Sequence, residues 1–439
     1  MIRLNPYLFF ILFSIATFAQ EKDSSDVAFK KRVLESTEVD FMMSYYKQDG
    51  VHSAVAGGNG MEDLTDLTPT IVVTMPLNED DVLTVDAGLS AYSSASSGNI
   101  NPFDSNTPSP WQASSGASAQ DALTTLVVSY SHSTDDRNTI WNVHASGSVE
   151  YDYSSIGFGG GLTKLFNHKN TEINISANVY LDTWKPIYPK ELNDFAVNGN
   201  TLNGGIFNEF VISGNPNYNP EAFSFHDSKN RNSYALSVSF SQVVNTKMQF
   251  SLFLDVLQQQ GLLSTPYQRV YFADKPDSFI NEFQLADDIE RLPDTRFKLP
   301  VGARLNYYIN QWLVMRTYYR FYNDNWGITA HTANIELPIK LNGRFTVYPM
   351  YRYYTQTAAD YFAPYEKQLS TAQYYTSDYD LSAFDAHQYG LGATYTDIFT
   401  KAKIWKFGIK TIDLRYNHYS RSDGLNANII SFGIKFVKQ

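Results

Sequence analysis

The sequence of 439 residues contains no cysteine. This absence excludes disulfide bridges, thiol nucleophiles and cysteine metal ligands, and also a lipid anchor attached through an N-terminal cysteine. An excess of basic residues is missing as well, because the formal net charge is -11 at pH 7. Phosphate binding needs a basic surface, so we expect no nucleic-acid partner.

Long apolar runs are missing beyond the N-terminus. The one pronounced run spans residues 7–16, follows the cationic Arg3 and precedes the small-residue site Thr17-Phe18-Ala19. It is shorter than the roughly 20 residues of a spanning helix, so it favours a secretory signal peptide over residues 1–19 against a membrane anchor. Residues 20–37 would then form a short periplasmic N-terminal segment, ahead of a single domain over 38–439.

Aromatic residues and a period of two are what the sequence has in abundance. It contains 31 Tyr and 29 Phe, yet few of them cluster into apolar runs. In one segment Trp141, Val143 and Ala145 alternate with polar residues, which predicts a strand with one oily face and one wet face. About sixteen such segments are predicted, with a range of 12–18 in view of uncertain boundaries. They lie near 38–47, 68–77, 82–92, 121–131, 139–151, 155–166, 171–184, 232–244, 247–257, 296–309, 311–323, 326–340, 344–356, 385–396, 403–418 and 425–437; the segment near 326–340 changes phase midway, which suggests a bulge.

The connections between these segments alternate in length. Every even-to-odd connection is short, whereas the long ones, 48–67, 93–120, 185–231, 258–295 and 357–384, all fall at odd-to-even positions. Short periplasmic turns and long extracellular loops are typical of outer-membrane barrels, and a closed barrel leaves no unpaired strand edge in hydrocarbon. We therefore predict an all-β protein, a transmembrane antiparallel up-and-down β-barrel in the outer membrane with periplasmic termini. A soluble sandwich or propeller is the alternative fold.

Four sets of segments stand out in the sequence: Ser93-Ser94-Ala95-Ser96-Ser97 with Ala113-Ser114-Ser115-Gly116-Ala117-Ser118, Gly261-Leu262-Leu263-Ser264-Thr265-Pro266-Tyr267, Glu290-Arg291-Leu292-Pro293-Asp294-Thr295-Arg296, and Tyr318-Tyr319-Arg320-Phe321-Tyr322-Asn323-Asp324-Asn325-Trp326-Gly327-Ile328. In this order they resemble a bacterial family catalogued as domain of unknown function 3570. The resemblance implies an outer-membrane protein of a kind prominent in Bacteroidetes, often encoded beside a flavin transferase and a thioredoxin-like protein. It therefore suggests an envelope redox partner.

Motifs that carry chemistry are scarce. The sequence has no G-x-S-x-G, no H-E-x-x-H and no phosphate loop, so we expect no enzyme and no cofactor, with an outer-membrane hydrolase as a remote alternative. His144 lies on a wet face and is more simply a hydrated lumen residue. The glycines around 157–161 favour a bend or close backbone approach. Acidic pairs at 80–81, 135–136 and 287–288 favour solvated turns over calcium sites.

Paired tyrosines lie near the ends of three predicted strands, at 307–308, 318–319 and 353–354. Rings at these places are typical of the aromatic girdles that sit at the membrane interface. Stacking against sugars inside a channel is the alternative role.

The inward faces of the strands separate charges by sign along the chain. If the apolar positions face lipid, the earlier strands turn acidic residues inward and the later strands turn basic residues inward, with exceptions such as Glu336 and Asp413. These sets would occupy opposing sectors of the lumen and either create a transverse field or pair as salt bridges, with each other or with loop residues such as Glu290 and Asp294. The acidic sector is Asp86, Glu150, Asp152, Glu172, Asp182 and Asp255; the basic sector is Arg304, Arg316, Arg320, Arg352, Arg415 and Lys435.

These patterns favour a pore or translocation channel for small polar solutes, since a dry core would not tolerate so many inward polar groups. A non-conducting anchor or scaffold for an envelope redox or flavoprotein system is the alternative from a different class. Outer-membrane lipid and the barrel-assembly machinery are the expected partners. The last predicted strand supports this, because Ile430, Phe432, Ile434 and Phe436 alternate with other residues as in barrel assembly signals.

Overall fold

The computed structural model describes residues 31–96 and 120–438. The predicted signal peptide, residues 20–30 of the N-terminal segment and most of the predicted loop 93–120 lie outside them. Within the described residues, no helix is long and apolar enough to cross a membrane. Sixteen long antiparallel strands dominate the fold: β1 Glu38–Asp49, β2 Glu62–Pro76, β3 Asp81–Ser96, β4 Gln120–Ser133, β5 Thr139–Val149, β6 Tyr153–Phe166, β7 Thr171–Trp184, β8 Asn230–Asn245, β9 Met248–Gly261, β10 Thr295–Asn310, β11 Leu313–Asp324, β12 Thr329–Glu336, β13 Phe345–Gln356, β14 Phe384–Thr396, β15 Phe407–Arg421 and β16 Asn426–Lys438.

Each strand pairs with the strands that precede and follow it in sequence, and the sheet closes on itself. Closure occurs where β1 pairs with both β2 and β16, for example Ser44 with Thr68 on one side and with Ser431 on the other. The barrel sheet, as described, therefore has no unpaired edge strand. Every barrel strand has a partner on each side for the backbone hydrogen bonds that a membrane core could not supply. The predicted antiparallel up-and-down barrel of sixteen strands is confirmed.

Strand β12 departs from the sequence prediction. It stops at Glu336 and resumes as the short strand Ile339–Lys340, but its register with β11 and β13 is the same on both sides of the break. The bulge predicted there is therefore wrong. The alternation of apolar and polar residues changes phase there because the apolar Ala330 faces inward. It packs, with Ile328, against Ala359 of the loop 357–383.

The connections sort by end. At one end, the short-turn end, lie the segments 77–80, 134–138, 167–170, 246–247, 311–312, 341–344 and 397–406. At the other, the long-loop end, lie the loops 50–61, 185–229, 262–294 and 357–383, together with the short connections 150–152, 325–328 and 422–425. This is the alternation in loop length that the sequence predicts.

The strands have two faces of opposite character. The outward positions carry large exposed apolar side chains, such as Leu67, Leu126 and Phe158. Their sequence neighbours point into the lumen and are polar at most positions, as with Asp66, which accepts a hydrogen bond from Ser90 of the next strand. An apolar outer wall around a polar lumen is the arrangement of a membrane barrel.

Three long loops and the loop 50–61 fold together at the long-loop end into a structure that we call the cap. Its elements include helix α1 (Lys190–Val197), helix α2 (Ile206–Glu209) and small strand pairs such as Arg269–Val270 with Asp288–Ile289. The cap has its own apolar core, built around nine buried side chains. They are Leu192, Ile206, Tyr218, Phe223, Tyr271, Ile280, Leu285, Ala286 and Ile289.

The cap is tied to the barrel wall by inward-facing side chains. Arg421 of β15 bonds to Asp380 at 2.5 Å and to the carbonyl of Tyr379 at 2.7 Å. Gln356 of β13 donates to the carbonyl of Ser382 at 2.6 Å. Because these wall residues point into the lumen, the loop 357–383 enters the mouth of the barrel.

Candidate functional site

The candidate site lies in the lumen, where inward residues of the four consecutive strands β10 to β13 form a row across the wall. Arg304 of β10 pairs in register with Tyr318 of β11, Tyr318 with Asn334 of β12, and Asn334 with Arg352 of β13. Register partners lie side by side on one face of a sheet, so the row presents two guanidinium groups flanking a ring and an amide. All four residues line one cavity of about 750 Å³, which we call the inner cavity.

The wall of the inner cavity is otherwise mostly polar, with two apolar residues. Asn174, Ser237, Ser239, Asn306 and Arg316 contribute amides, hydroxyls and a further guanidinium. The remaining side chains are Phe253, Asp255, Thr317 and Glu336, and Val238 also borders the space.

The six residues of the predicted basic sector divide into two groups. Arg316 and Arg415 share one carboxylate, because Glu336 bonds to Arg316 at 3.0 Å and to Arg415 at 3.2 Å. Lys435 is held at the short-turn end by Glu38 at 2.7 Å and Asp40 at 3.3 Å. Half of the sector is thus engaged by carboxylates of the barrel wall, although Arg316 and Arg415 divide a single negative charge.

The other half of the basic sector keeps its charge. In the part of the chain that the structure describes, the guanidiniums of Arg304, Arg320 and Arg352 have no carboxylate within 4.0 Å. Arg304 lies between two rings, 5.4 Å from the centroid of Phe253 and 5.9 Å from that of Tyr318. Arg320 lies 5.8 Å from the Tyr322 ring. These side chains are available to a solute.

A second space, the upper cavity, separates the inner cavity from the cap. It measures about 350 Å³ and is lined by Arg296, Arg320, Tyr322, Ile328, Thr332, Tyr354, Gln356 and, from the cap, Asp380 and Leu381. Arg320 follows Tyr318, the register partner of Arg304, by two residues, so at about 3.3 Å per residue it lies about 7 Å nearer the long-loop end. The free arginines therefore occur at two depths.

The acidic sector is dispersed. Asp255 lines the inner cavity, and Asp182 lies 3.7 Å from Arg231 of the neighbouring strand. Asp86 on β3 and Glu172 on β7 do not line the inner cavity, and among the described residues neither has a cation within 4.0 Å.

Glu150 and Asp152 do come together, but with a residue that the sequence analysis missed. Their carboxylate oxygens and one of Asp121 lie within 4.8 Å of one another near the long-loop end. Tyr92 also donates a hydrogen bond to Glu150. Three carboxylates are a ligand set that calcium accepts, and they repel one another unless protons or a cation neutralise them.

The cap contains buried charges of its own. Arg269 bonds to Glu191 with Nε 2.7 Å from Oε1, and both side chains are buried. Glu290 is fully enclosed and accepts hydrogen bonds from Thr376 Oγ1 at 2.5 Å and from the backbone N of Thr265 at 2.7 Å. Burial raises the pKa of Glu290 to about 8, and the neighbouring charge of Asp378 adds to the rise. Glu290 thus does not pair with the basic sector, as one alternative proposed.

Other residues that the sequence singled out have structural roles. A Cβ at Gly159 would collide with His144 and Asn178, so the glycines of β6 provide close approach as expected. Asp80 pairs with Arg137 of the next turn, and Asp288 bonds to Arg291 at 3.0 Å within the cap.

The tyrosine pairs split between the two faces of the wall. Tyr319 and Tyr353 face outward, whereas Tyr318 and Tyr354 line the two cavities. The pair 318–319 lies within β11 and not at its end, so the prediction of a girdle at that position is wrong.

Sequence reasoning identified the arginines but not their partners. The inward position of Glu336 was visible from its parity, but its bridge between Arg316 and Arg415 spans five strands, β11 to β15. Phe253 was missed because an apolar residue in an alternating strand is expected to face outward. Reading parity against the register of neighbouring strands is the signal that would have identified both.

Comparison with solved structures gives barrels of low similarity. They include a bacterial polysaccharide outer membrane secretin, with 8% identity, a TM-score of 0.43, and coverage of 92% of this chain and 99% of that chain. A TodX monoaromatic hydrocarbon channel mutant has 8% identity and a TM-score of 0.40, with 93% of this chain and 91% of that chain covered. The outer membrane protein opdK from Pseudomonas aeruginosa has 7% identity and a TM-score of 0.38, with 92% of this chain and 99% of that chain covered. Similarity of this degree carries no argument about the function of this chain.

A comparison with curated proteins finds no match. The sequence model of one family does match, and it spans residues 11–427, nearly the whole chain. The resemblance stated from the sequence motifs is thereby confirmed: the chain belongs to the family described as protein of unknown function DUF3570.

Proposed function

We propose that this protein is an outer-membrane channel for small polar solutes. The observation that carries the proposal is the inner cavity of about 750 Å³, whose wall combines hydroxyls, amides and free guanidiniums. Buried polar groups without partners are costly, so a wall of this composition is suited to water and solutes and not to a dry core. Barrels of sixteen strands are also wide enough to leave an aqueous channel.

The cap closes the mouth of this channel in the conformation described. The loop 357–383 carries Asp380 and Leu381 down to the upper cavity, where they face Arg320 and Tyr354. A solute that enters from the long-loop end meets the cap before it reaches the inner cavity. Passage therefore requires the cap to shift or loosen.

The membrane setting of the proposal follows from the faces of the barrel. The outward apolar residues contact outer-membrane lipid, with the long-loop end outside the cell and the short-turn end in the periplasm. Strand β16, whose outward residues include Ile430, Phe432 and Phe436, is the segment that the barrel-assembly machinery would recognise.

Liposome swelling tests the proposal. The residues that flank each cap loop are register partners or close to it, as with Gln356 and Phe384, so short turns can replace the loops without moving the strands. The variant with loops 185–229, 262–294 and 357–383 replaced is expected to admit neutral sugars much faster than the full-length protein. The reason is that the wall stays intact while the obstruction is removed.

The matched control shortens the connection 397–406 at the opposite end, which the cap does not touch. Heat-modifiable migration on gels confirms that each variant has formed its barrel. A folded variant without its cap that admits no more solute than empty liposomes would contradict the channel.

A non-conducting anchor for an envelope redox partner is the second candidate. It is favoured by the density of the cap, which has a core of nine buried side chains and a buried ion pair, like a small domain built for contact. If this candidate is right, the shortened variant remains impermeable and the full-length protein captures its partner only with the cap present.

A further inference from the structure

We propose that the inner cavity binds small organic monocarboxylates with an apolar body, through Arg304 as the anchoring residue and Arg352 as the second cation. This inference rests on the proposed function, because it names the class of solute that the channel selects. It is carried by three features of the cavity wall: its free charge, its apolar flank and its dimensions.

The free charge of the wall is positive. Arg316 and Glu336, which bond at 3.0 Å, both line the cavity, so their charges offset each other there. Arg304 and Arg352 keep their charge, whereas Asp255 places one negative charge on the same wall. An excess of one positive charge remains, which suits a monoanion better than a cation or a dianion.

The kind of anion follows from guanidinium chemistry. A guanidinium presents its N–H groups in a planar fork that matches both oxygens of a carboxylate, and such bidentate pairs are stronger and more specific than single contacts. Arg304 is not engaged by any carboxylate of the described chain, so its fork is free for a solute.

The apolar flank surrounds this same side chain. Phe253 and Tyr318 place their ring centroids 5.4 and 5.9 Å from the Arg304 guanidinium. An inward phenyl group is out of place in a wall of hydroxyls and amides unless something apolar packs against it. A carboxylate on Arg304 would leave the body of the solute against these rings.

The dimensions of the row suit a small molecule. Four adjacent strands at about 4.8 Å spacing put the Cα atoms of Arg304 and Arg352 about 14 Å apart. Two arginine side chains can converge across that gap over Tyr318 and Asn334, which lie between them in the row. A cavity of about 750 Å³ holds a molecule of the size of benzoate with its hydration water.

Equilibrium binding to the detergent-solubilised full-length chain tests the inference. The probes are benzoate, its neutral ester methyl benzoate, the cation benzylamine and the small anion acetate, each titrated calorimetrically at fixed ionic strength. Benzoate is expected to bind more tightly than the other three, because only benzoate has both the negative charge and the apolar body.

Variants locate the binding to the inner cavity. Arg304→Gln is expected to weaken benzoate binding by about tenfold or more, since a charge-assisted pair is lost. Arg304→Lys keeps the charge but not the planar fork, so its benzoate affinity should lie between that of the unaltered protein and that of Arg304→Gln. Asp255→Asn should strengthen binding, because it removes the opposing charge.

The matched control is Arg320→Gln, which removes an equally free arginine from the neighbouring strand β11, where it lines the upper cavity. It is expected to weaken benzoate binding by less than about threefold, because it removes a nearby positive charge but not the fork that holds the carboxylate. Equal losses in Arg304→Gln and Arg320→Gln, or benzoate binding no tighter than methyl benzoate, would overturn the inference.

Binding and permeation report separately on the two proposals. Selective benzoate binding without permeation in the cap-shortened variant would support the binding site and contradict the channel. Permeation without selective binding would leave the channel standing and remove the site.

Discussion

Glu290 is expected to make the stability of the cap depend on pH. Its pKa is raised to about 8 by burial and by the nearby Asp378, whose own pKa burial raises to about 6. A carboxyl group with a raised pKa in the folded cap stabilises that fold at low pH, where it stays protonated. That contribution is lost as the pH rises through the folded-state value.

Protease digestion of the cap loops should therefore become faster between about pH 5 and 9, in excess of the pH response of the protease itself. Glu290→Gln, which cannot ionise, should flatten this dependence. As a control, Glu221→Gln alters an exposed carboxylate in the same cap and should leave it unchanged. A cap that becomes more resistant at high pH would contradict the account.

Individual residues also show how far sequence patterns reach. The inward orientation of Arg304 and Arg352 follows from strand parity alone, because neighbouring side chains in a strand alternate between faces. Their freedom from carboxylates depends on Glu336 bonding to Arg316 and Arg415 instead. Such a choice is set by the register and tilt of several strands together, which no single segment encodes.

At the scale of elements, helix α1 anchors the cap. It follows Pro189, and Lys190 bonds to Asp194 one turn later at 2.6 Å. Its inner face places Leu192 (0% exposed) in the core of the cap, while Val197 on the same helix is 68% exposed. The helix is too short to be stable alone, so this packing holds it.

Leu192→Ala should destabilise the cap by about 2–5 kcal/mol, through lost apolar burial and the cavity left behind. Hydrogen exchange should show faster exchange across residues 185–229 and 262–294, with β1–β16 unchanged. Val197→Ala, a smaller truncation at an exposed position, should leave exchange in the cap near that of the unaltered protein. A barrel that loses protection together with the cap would show that the two are one cooperative unit.

The strands and the cap differ in how well sequence predicts them. A strand of 11–16 residues repeats the same alternation many times, so β5 and β7 are evident from their side chains. The cap has no such period: Arg269 finds Glu191 across 78 residues, and Gly57, with φ 70, accommodates the Tyr271 ring from another loop. Contacts of this kind depend on the barrel having brought the loops to one end.

The whole molecule has a fixed orientation in this account, with the cap outside the cell. An epitope placed near Asn200, in the cap, should be labelled on intact cells, whereas one near Asp80, in the turn between β2 and β3, should be labelled only after permeabilisation. The sorting of long and short connections is the physical ground. Reversed labelling would invert the barrel, and labelling of both sites on intact cells would contradict a membrane-spanning chain.

The architecture as a whole was predictable because three independent patterns in the sequence agree: alternation, strand length and the sorting of loops. Whether the lumen is open or closed was not predictable, because the same inward charges are compatible with an open pore and with a closed one. The structure adds which arginines are paired and that the loop 357–383 contributes Asp380 and Leu381 to the upper cavity.

Planar-bilayer conductance of the refolded protein, with the cap loops intact and with them replaced by short turns, tests the central claim most directly. The account predicts low or intermittent conductance for the full-length protein and a steady, larger conductance for the shortened variant. The shortened pore should prefer anions, and Arg304→Gln combined with Arg352→Gln should reduce that preference while heat-modifiable folding is retained. A correctly folded shortened barrel that passes no current would contradict the claim that this protein is a capped channel.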